Sequence, residues 1–158
     1  MKTTDLCDQF GAELQVCAPM LRHFGKTRDF CGPIATVKVF EDNALVKEAL
    51  QTVPAGSVLV VDGGGSLRSA LVGDMLAGLA VERGLAGIIV NGCIRDAAEI
   101  ANLDVGVMAL ASNPLRSSKL GAGERDLPVQ FGGVSWAPGQ WAYADEDGVV
   151  VANRPLHL

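Results

Sequence analysis

Two unbroken apolar runs stand out along the chain, Ser57-Val58-Leu59-Val60-Val61 and Gly87-Ile88-Ile89-Val90. Neither alternates with polar residues, which is the pattern of strands covered on both faces of a sheet. The first ends in Asp62-Gly63-Gly64-Gly65, a turn at the carboxyl end of the strand. Between the runs, Leu76, Leu79 and Ala80 recur at helical spacing from Asp74, with Gly84 as the stop. Upstream, Ala35–Phe40 has strand composition, and Asp42–Val53 reads as a helix with Leu45, Val46, Ala49 and Leu50 on one face. A short helix is expected over Thr4–Phe10, capped by Thr4 and stopped at Gly11. Downstream, a helix from Ala97 to Asn102 and a strand over Val105–Ala111 continue the strand and helix alternation. The last third changes character. Val134–Trp136, Ala142–Asp145 and Val149–Val151 read as strands joined by tight turns at Pro138-Gly139 and Asp147-Gly148. The expected architecture is therefore α/β and layered, with a mixed main sheet, an antiparallel C-terminal part and a second, smaller sheet.

Length and composition narrow this picture. The 158 residues, 49% hydrophobic and 20% charged, fit one domain over residues 1–158 with enough apolar surface to fold. The apolar runs are far shorter than the roughly 18 residues that cross a bilayer, so no membrane partner is expected. The start Met1-Lys2-Thr3-Thr4-Asp5-Leu6 lacks the apolar run of a secretory signal, which points to the cytoplasm. Cys7, Cys17, Cys31 and Cys93 form no C-x-x-C pair, and with two histidines they suggest buried or half-buried thiols, not a disulfide framework or zinc site. The net charge of −5 argues against direct nucleic-acid binding, which needs clustered Lys and Arg.

Three stretches could carry chemistry. Asp62-Gly63-Gly64-Gly65-Ser66 begins a G-x-G-x-x-G pattern, but Arg68 stands at the third glycine position and no G-K-[ST] follows. A tight turn allowing close backbone approach fits it better than a nucleotide loop. Gly73-Asp74-Met75-Leu76 opens a helix. Asp74 there reads either as an N-cap or as part of an N-terminus whose free N–H groups bind a small carboxylate. Gly92-Cys93-Ile94-Arg95-Asp96 closes a buried strand, where open α/β sheets place ligands. Asp96 could cap the next helix and pair with Arg95. Alternatively, the Arg95 fork holds a carboxylate while Asp96 gives a hard oxygen ligand to Mg²⁺. No lysine looks desolvated enough for Schiff-base chemistry, and Cys93 cannot be tied to His23 or His157, so it reads as an inert packed thiol.

Taken together, Phe40-Glu41-Asp42-Asn43, Val60–Ser66, Gly73–Leu76, Asn91–Asp96 and Phe131-Gly132-Gly133-Val134 resemble, almost end to end, the family that joins class II 4-hydroxy-4-methyl-2-oxoglutarate aldolases with the regulator of ribonuclease activity A. Asp74, twenty intervening residues and then Arg95-Asp96 match the motif that marks its aldolase branch. The resemblance implies a β/β/α swivelling-type fold and a ring-shaped homotrimer with sites near subunit boundaries. It also implies a site in which Asp96 ligates a divalent cation (Mg²⁺ or Mn²⁺), Arg95 grips a 2-oxo acid substrate, Gly73, Asp74, Met75 and Leu76 offer backbone N–H groups to its pyruvate moiety, and Asp74 orders a water. Retro-aldol cleavage and oxaloacetate decarboxylation would share one pyruvate enolate. Longer members bring an acidic residue into a neighbouring site on a C-terminal extension. This sequence ends Asn153–Leu158, so decarboxylation of a smaller oxo acid is expected to be the stronger activity. The alternative from the same resemblance is a protein that inhibits a ribonuclease partner by docking.

Overall fold

The computed structural model describes residues 1–158. In chain order the elements are α1 (Thr3–Phe10), a 3-10 turn (Gly11–Glu13), β1 (Gln15–Val16), β2 (Arg22–His23), β3 (Phe30–Lys38), α2 (Ala44–Thr52), β4 (Val58–Asp62), β5 (Ala70–Val72), α3 (Asp74–Glu82), β6 (Gly87–Ile94), α4 (Ala97–Ile100), β7 (Gly106–Ser112), β8 (Glu124–Arg125), β9 (Val129–Phe131), β10 (Val134–Trp136), β11 (Trp141–Asp145) and β12 (Gly148–Ala152).

The two apolar runs become β4 and β6, buried at every position and paired in parallel at the centre of the main sheet. That sheet has the order β1-β12-β11-β3-β4-β6-β7-β2, with β5 added beside β6 and β8 beside β3. Strands β3, β4, β6 and β7 are parallel, whereas β11, β12, β1 and β2 join antiparallel. The long β3 joins the two halves: Phe30–Pro33 pair with β11, and Ile34–Lys38 pair with β4. A two-stranded sheet, β9 with β10, stands apart.

Three apolar clusters define the layers. On one face of the parallel strands, α2 and α3 bury Val46, Ala49, Leu50, Ala77 and Ala80 against Leu59, Val61, Ile88 and Val90. On the other face, β9, β10 and the curled antiparallel half enclose Val60, Ile89, Phe131, Trp136 and Val149. Helix α1 closes the outer side of β11 and β12 through Leu6, Tyr143, Val150 and Leu156. Each fully buried aliphatic side chain contributes about 1.5–3 kcal/mol, so the sheet centre is the main source of stability. The result is the expected layered β/β/α arrangement.

Several local expectations need correction. Thr4 is not a cap: α1 begins one residue earlier, Lys2 stands at the N-cap without a side-chain bond, and Gly11 continues into the 3-10 turn. The strand expected at Ala35–Phe40 starts at Phe30 and stops at Lys38, because its first half is recruited by β11. The helix expected to Asn102 ends at Ile100. Cys31 is exposed, whereas Cys17 and Cys93 are buried and Cys7 is intermediate.

Candidate active site

Strands β5 and β6 run side by side and end together, with Val72 opposite Ile94. The Arg95 N–H donates to the Val72 carbonyl at 2.9 Å, which fastens the two ends. The chain leaves β5 through Gly73 into α3 and leaves β6 through Arg95 and Asp96 into α4. Adjacent strand ends thus bring Gly73–Leu76 against Arg95-Asp96, although they lie some twenty residues apart in sequence.

Asp96 adopts a left-handed conformation (φ 58°, ψ 44°), one that Asp tolerates better than most residues. This directs its carboxylate away from its own helix, to which it makes no side-chain cap bond. Instead Oδ2 accepts a hydrogen bond from the Asp74 N–H at 3.0 Å. Asp96 therefore caps α3, and neither simple capping expectation holds: Asp74 is the first residue of α3, with Gly73 at the N-cap and no cap bond from its own turn. The close approach requires glycine at 73. A Cβ there would lie 2.8 Å from Asp96 Oδ2 and 3.4 Å from Arg95 Cγ.

The Asp74 N–H holds the Asp96 carboxyl below its ordinary range. Partial burial opposes the shift, and the Asp74 side chain and Arg95 guanidinium reinforce it. Arg95 does not form the expected pair with Asp96; its guanidinium makes no hydrogen bond or ion pair with any protein group. The Ala77 N–H closes the first turn of α3 onto the Gly73 carbonyl at 3.0 Å, while those of Met75 and Leu76 find no backbone acceptor. Met75 is exposed and Leu76 half-buried. A free cationic fork, unengaged N–H groups and two neighbouring carboxylates thus face one corner, a set suited to a small anionic ligand with a cation beside it.

The donor set also decides which cation fits. Nowhere do three His, Cys, Asp or Glu side chains converge as an all-protein cage would require. Asp96 Oδ2 accepts from the Asp74 N–H, and the two carboxyl groups lie close together, that of Asp74 exposed. One or two carboxylates fit a hard divalent ion that keeps most of its waters, not a structural zinc.

The glycine-rich turn behaves as a brace. Gly63 and Gly65 N–H groups donate to the Asn91 carbonyl at 3.0 and 3.1 Å, and the Gly64 N–H donates to Asp62 Oδ1 at 2.9 Å. Asn91 Nδ2 also donates to Asp62 Oδ1 at 3.0 Å. With these amides engaged, none is free to cradle a phosphate; Gly64 and Gly65 serve the turn through their positive φ. Sequence reasoning gave Asn91 no role, although an amide inside an otherwise apolar buried run was the available signal. Cys93 is buried and its thiol is pushed up by burial, as expected of an inert packing group.

A family model described as RraA-like, Aldolase/RraA, matches residues 3–151. A Bacillus anthracis protein provisionally named 4-hydroxy-4-methyl-2-oxoglutarate aldolase is 57% identical over 156 residues, covering 99% of this chain and 98% of that protein. A similarly named protein of Alkalilimnicola ehrlichii is 56% identical over 98% of this chain and 96% of its own length. Among solved structures, one from Geobacillus kaustophilus, described as an S-adenosylmethionine:2-dimethylmenaquinone methyltransferase, superposes with a TM-score of 0.98 at 62% identity over 99% of this chain and 97% of that one. Another, described as the RNA-processing inhibitor RraA from Thermus thermophilus, gives a TM-score of 0.96 at 44% identity over 99% and 95% of the two chains.

Proposed function

Because the chain belongs to the RraA-like, Aldolase/RraA family, we propose that it is a divalent-metal-dependent lyase that releases pyruvate from 2-oxo acids. Its substrates are 4-hydroxy-4-methyl-2-oxoglutarate by retro-aldol cleavage and oxaloacetate by decarboxylation. The observation that carries the reading is the unpaired Arg95 fork beside an Asp96 carboxylate anchored on the first N–H of α3.

In this reading Arg95 binds the carboxylate next to the keto group through its two parallel N–H donors. The backbone from Gly73 to Leu76 receives the same pyruvate unit, with the positive end of α3 adding to the attraction. Asp96 would hold a Mg²⁺ or Mn²⁺ ion through its carboxylate, and such an ion would supply Lewis acidity to the cleavage. In the retro-aldol cleavage the C4 hydroxyl gives its proton to water and its carbon leaves as the keto carbon of a second pyruvate, while oxaloacetate loses CO₂. In both, the electron pair stays on the first fragment as an enolate, whose CH₂ carbon then takes a proton to become the methyl of pyruvate. Exposed Asp74 is the residue positioned to order the water that delivers it. One site thereby serves both substrates, because both fragmentations end in the same enolate.

Measuring pyruvate release from both acids tests this. Mg²⁺ or Mn²⁺ is expected to support turnover, while chelator or Asp96→Ala abolishes it; turnover indifferent to both rejects the proposal. A cytoplasmic setting is part of the same reading, since four free thiols suit a reducing compartment. So is assembly into a homotrimer, supported by the exposed apolar side chains of Phe40, Leu67, Met75, Leu115 and Leu120.

The second reading, a regulator that docks onto a ribonuclease, is favoured by one observation, the 44% identity to the Thermus RNA-processing inhibitor. Inhibition of a ribonuclease that survives Asp96→Ala would support it; absence of association alongside metal-dependent turnover would exclude it.

A further inference from the structure

A cavity of 300 Å³ opens at the carboxyl ends of β3 and β4, the end of an α/β sheet where ligands are placed. None of the Asp96 corner residues lines it. Three of its lining side chains belong to a polar row that strand register assembles. Glu124 of β8 stands opposite Lys38 of β3, Lys38 opposite Asp62 of β4, and Asp62 opposite Asn91 of β6. Residues paired in register point to one face, here the side of Ile34, Val60 and Ile89, which β9 and β10 cover. That cover reaches Thr36, whose hydroxyl donates to the Leu127 carbonyl at 2.6 Å. Two residues further along β3 it has ended, and Lys38 and Glu124 are exposed.

Charges alternate in sign along this row, yet none is paired. Lys38 is flanked by a carboxylate on each side and forms an ion pair with neither. Asp62 is only 7% exposed. Both protein donors to its side chain, the Gly64 N–H at 2.9 Å and Asn91 Nδ2 at 3.0 Å, meet Oδ1, and Oδ2 receives none. These two bonds fix the carboxylate beside Lys38 without joining it. A largely buried carboxylate oxygen that lacks a donor calls for one.

Val39, Phe40 and Ala122 supply the apolar part of the wall. The Phe40 ring lies against Gly64, where a Cβ would come within 3.0 Å of it, and under the Arg68 guanidinium at 5.7 Å. Arg68 is itself tied to Glu41 at 2.6 Å, so this side of the cavity is held in place. The cavity thus offers a cation, a carboxylate and an apolar surface side by side.

We propose that this cavity binds a free α-amino acid with an apolar side chain: its carboxylate on Lys38, its ammonium on Asp62 Oδ2, and its side chain along Val39, Phe40 and Ala122. An α-amino acid carries both charges on one carbon, which suits opposite charges on neighbouring strands about 4.8 Å apart. A lone anion would leave Asp62 unanswered, and a lone cation would leave Lys38. A sugar would offer hydrogen bonds without either charge.

The test titrates the isotopically labelled full chain, in the assembly it forms in solution, with L-leucine, 3-methylbutylamine, 4-methylpentanoate and glucose. Backbone amide shifts over residues 38–40, 62–65 and 121–125 give the readout. Leucine is expected to bind saturably, about tenfold or more tighter than the amine, the acid or the sugar. Lys38→Gln should bring leucine down to the affinity of the amine, and Asp62→Asn should bring it down to that of the acid. Asp62 also braces the glycine turn, so if Asp62→Asn unfolds the chain, Lys38→Gln at its exposed position decides. Leucine no tighter than the other three, a preference over the amine that survives Lys38→Gln, a preference over the acid that survives in folded Asp62→Asn, or no saturable shift overturns the proposal. Pyruvate release does not enter the readout, so failure here leaves the lyase reading standing, and the reverse.

Discussion

Gly73 and Asp96 depend on each other. The glycine has no unusual φ to satisfy; what it provides is room for the carboxylate that caps α3. Gly73→Ala is therefore expected to leave the fold intact while pushing Asp96 off the Asp74 N–H. Melting should shift by the loss of one cap, about 1 kcal/mol, and the metal concentration needed for half-maximal pyruvate release should rise. Asp96→Asn separates the two duties of this residue. An amide oxygen can still accept from Asp74, so the cap should survive with only its charge assistance lost, a smaller loss of stability than in Asp96→Ala, while turnover falls by about a hundredfold or more. Arg95-Asp96 and Asp74 stand out in the sequence because their spacing matches a known motif, and the structure brings the two stretches together. That Asp96 caps the other helix is not legible there, because the left-handed turn that redirects it arises only when β5 and β6 end side by side.

Among the elements, the segment after β7 is tied to the start of α2 by one buried side chain, beside the backbone bonds of Ser118 with Glu41 and Asn43. Asp42, just before α2, accepts from the N–H groups of Ala44, Leu120 and Gly121 at 3.1, 2.7 and 3.2 Å. Burial is the largest influence on its carboxyl and pushes it up, yet these donors together with Ala122 bring it below the ordinary range. A depressed value means that the ionised form is favoured in the folded protein. Its stabilisation is present above the unfolded carboxylate value of about 3.9 and is lost as pH falls through the lower folded value. Urea titrations at a series of acidic pH values should show wild-type stability falling through this window and Asp42→Asn falling less steeply. At neutral pH that variant should be weaker by about 2 kcal/mol, from the loss of charge-assisted bonds. The strongly patterned elements β4, β6, α2 and α3 were readable from apolar periodicity. The short β1, β2, β5, β8 and β9 were not: two or three residues carry no period, and their pairing is decided by long-range partners such as Val107–Ala109 for the β2 segment.

Across the whole molecule, the layered order followed from buried central strands and an antiparallel tail, but the route of β3 through both halves did not. Its alternating burial serves β11 at one end and β4 at the other. Phe40, Leu67, Met75, Leu115 and Leu120 are the exposed apolar side chains that the proposed trimer would cover. If they form the trimer contact, sedimentation should find trimers for the native chain, and Leu120→Asp with Leu115→Asp should shift it towards monomer without lowering the helix content. A monomer in both cases would remove assembly from the account.

The central claim is that Asp96 and Arg95 hold a cation and an oxo-acid anion together. Mn²⁺ binding, measured with and without oxalate as a mimic of the pyruvate enolate, tests it most directly. One ion per chain is expected, with affinity raised by oxalate, the ion site lost in Asp96→Asn and the oxalate effect lost in Arg95→Ala. Mn²⁺ affinity that is equal in native and Asp96→Asn protein, and indifferent to oxalate, would contradict it.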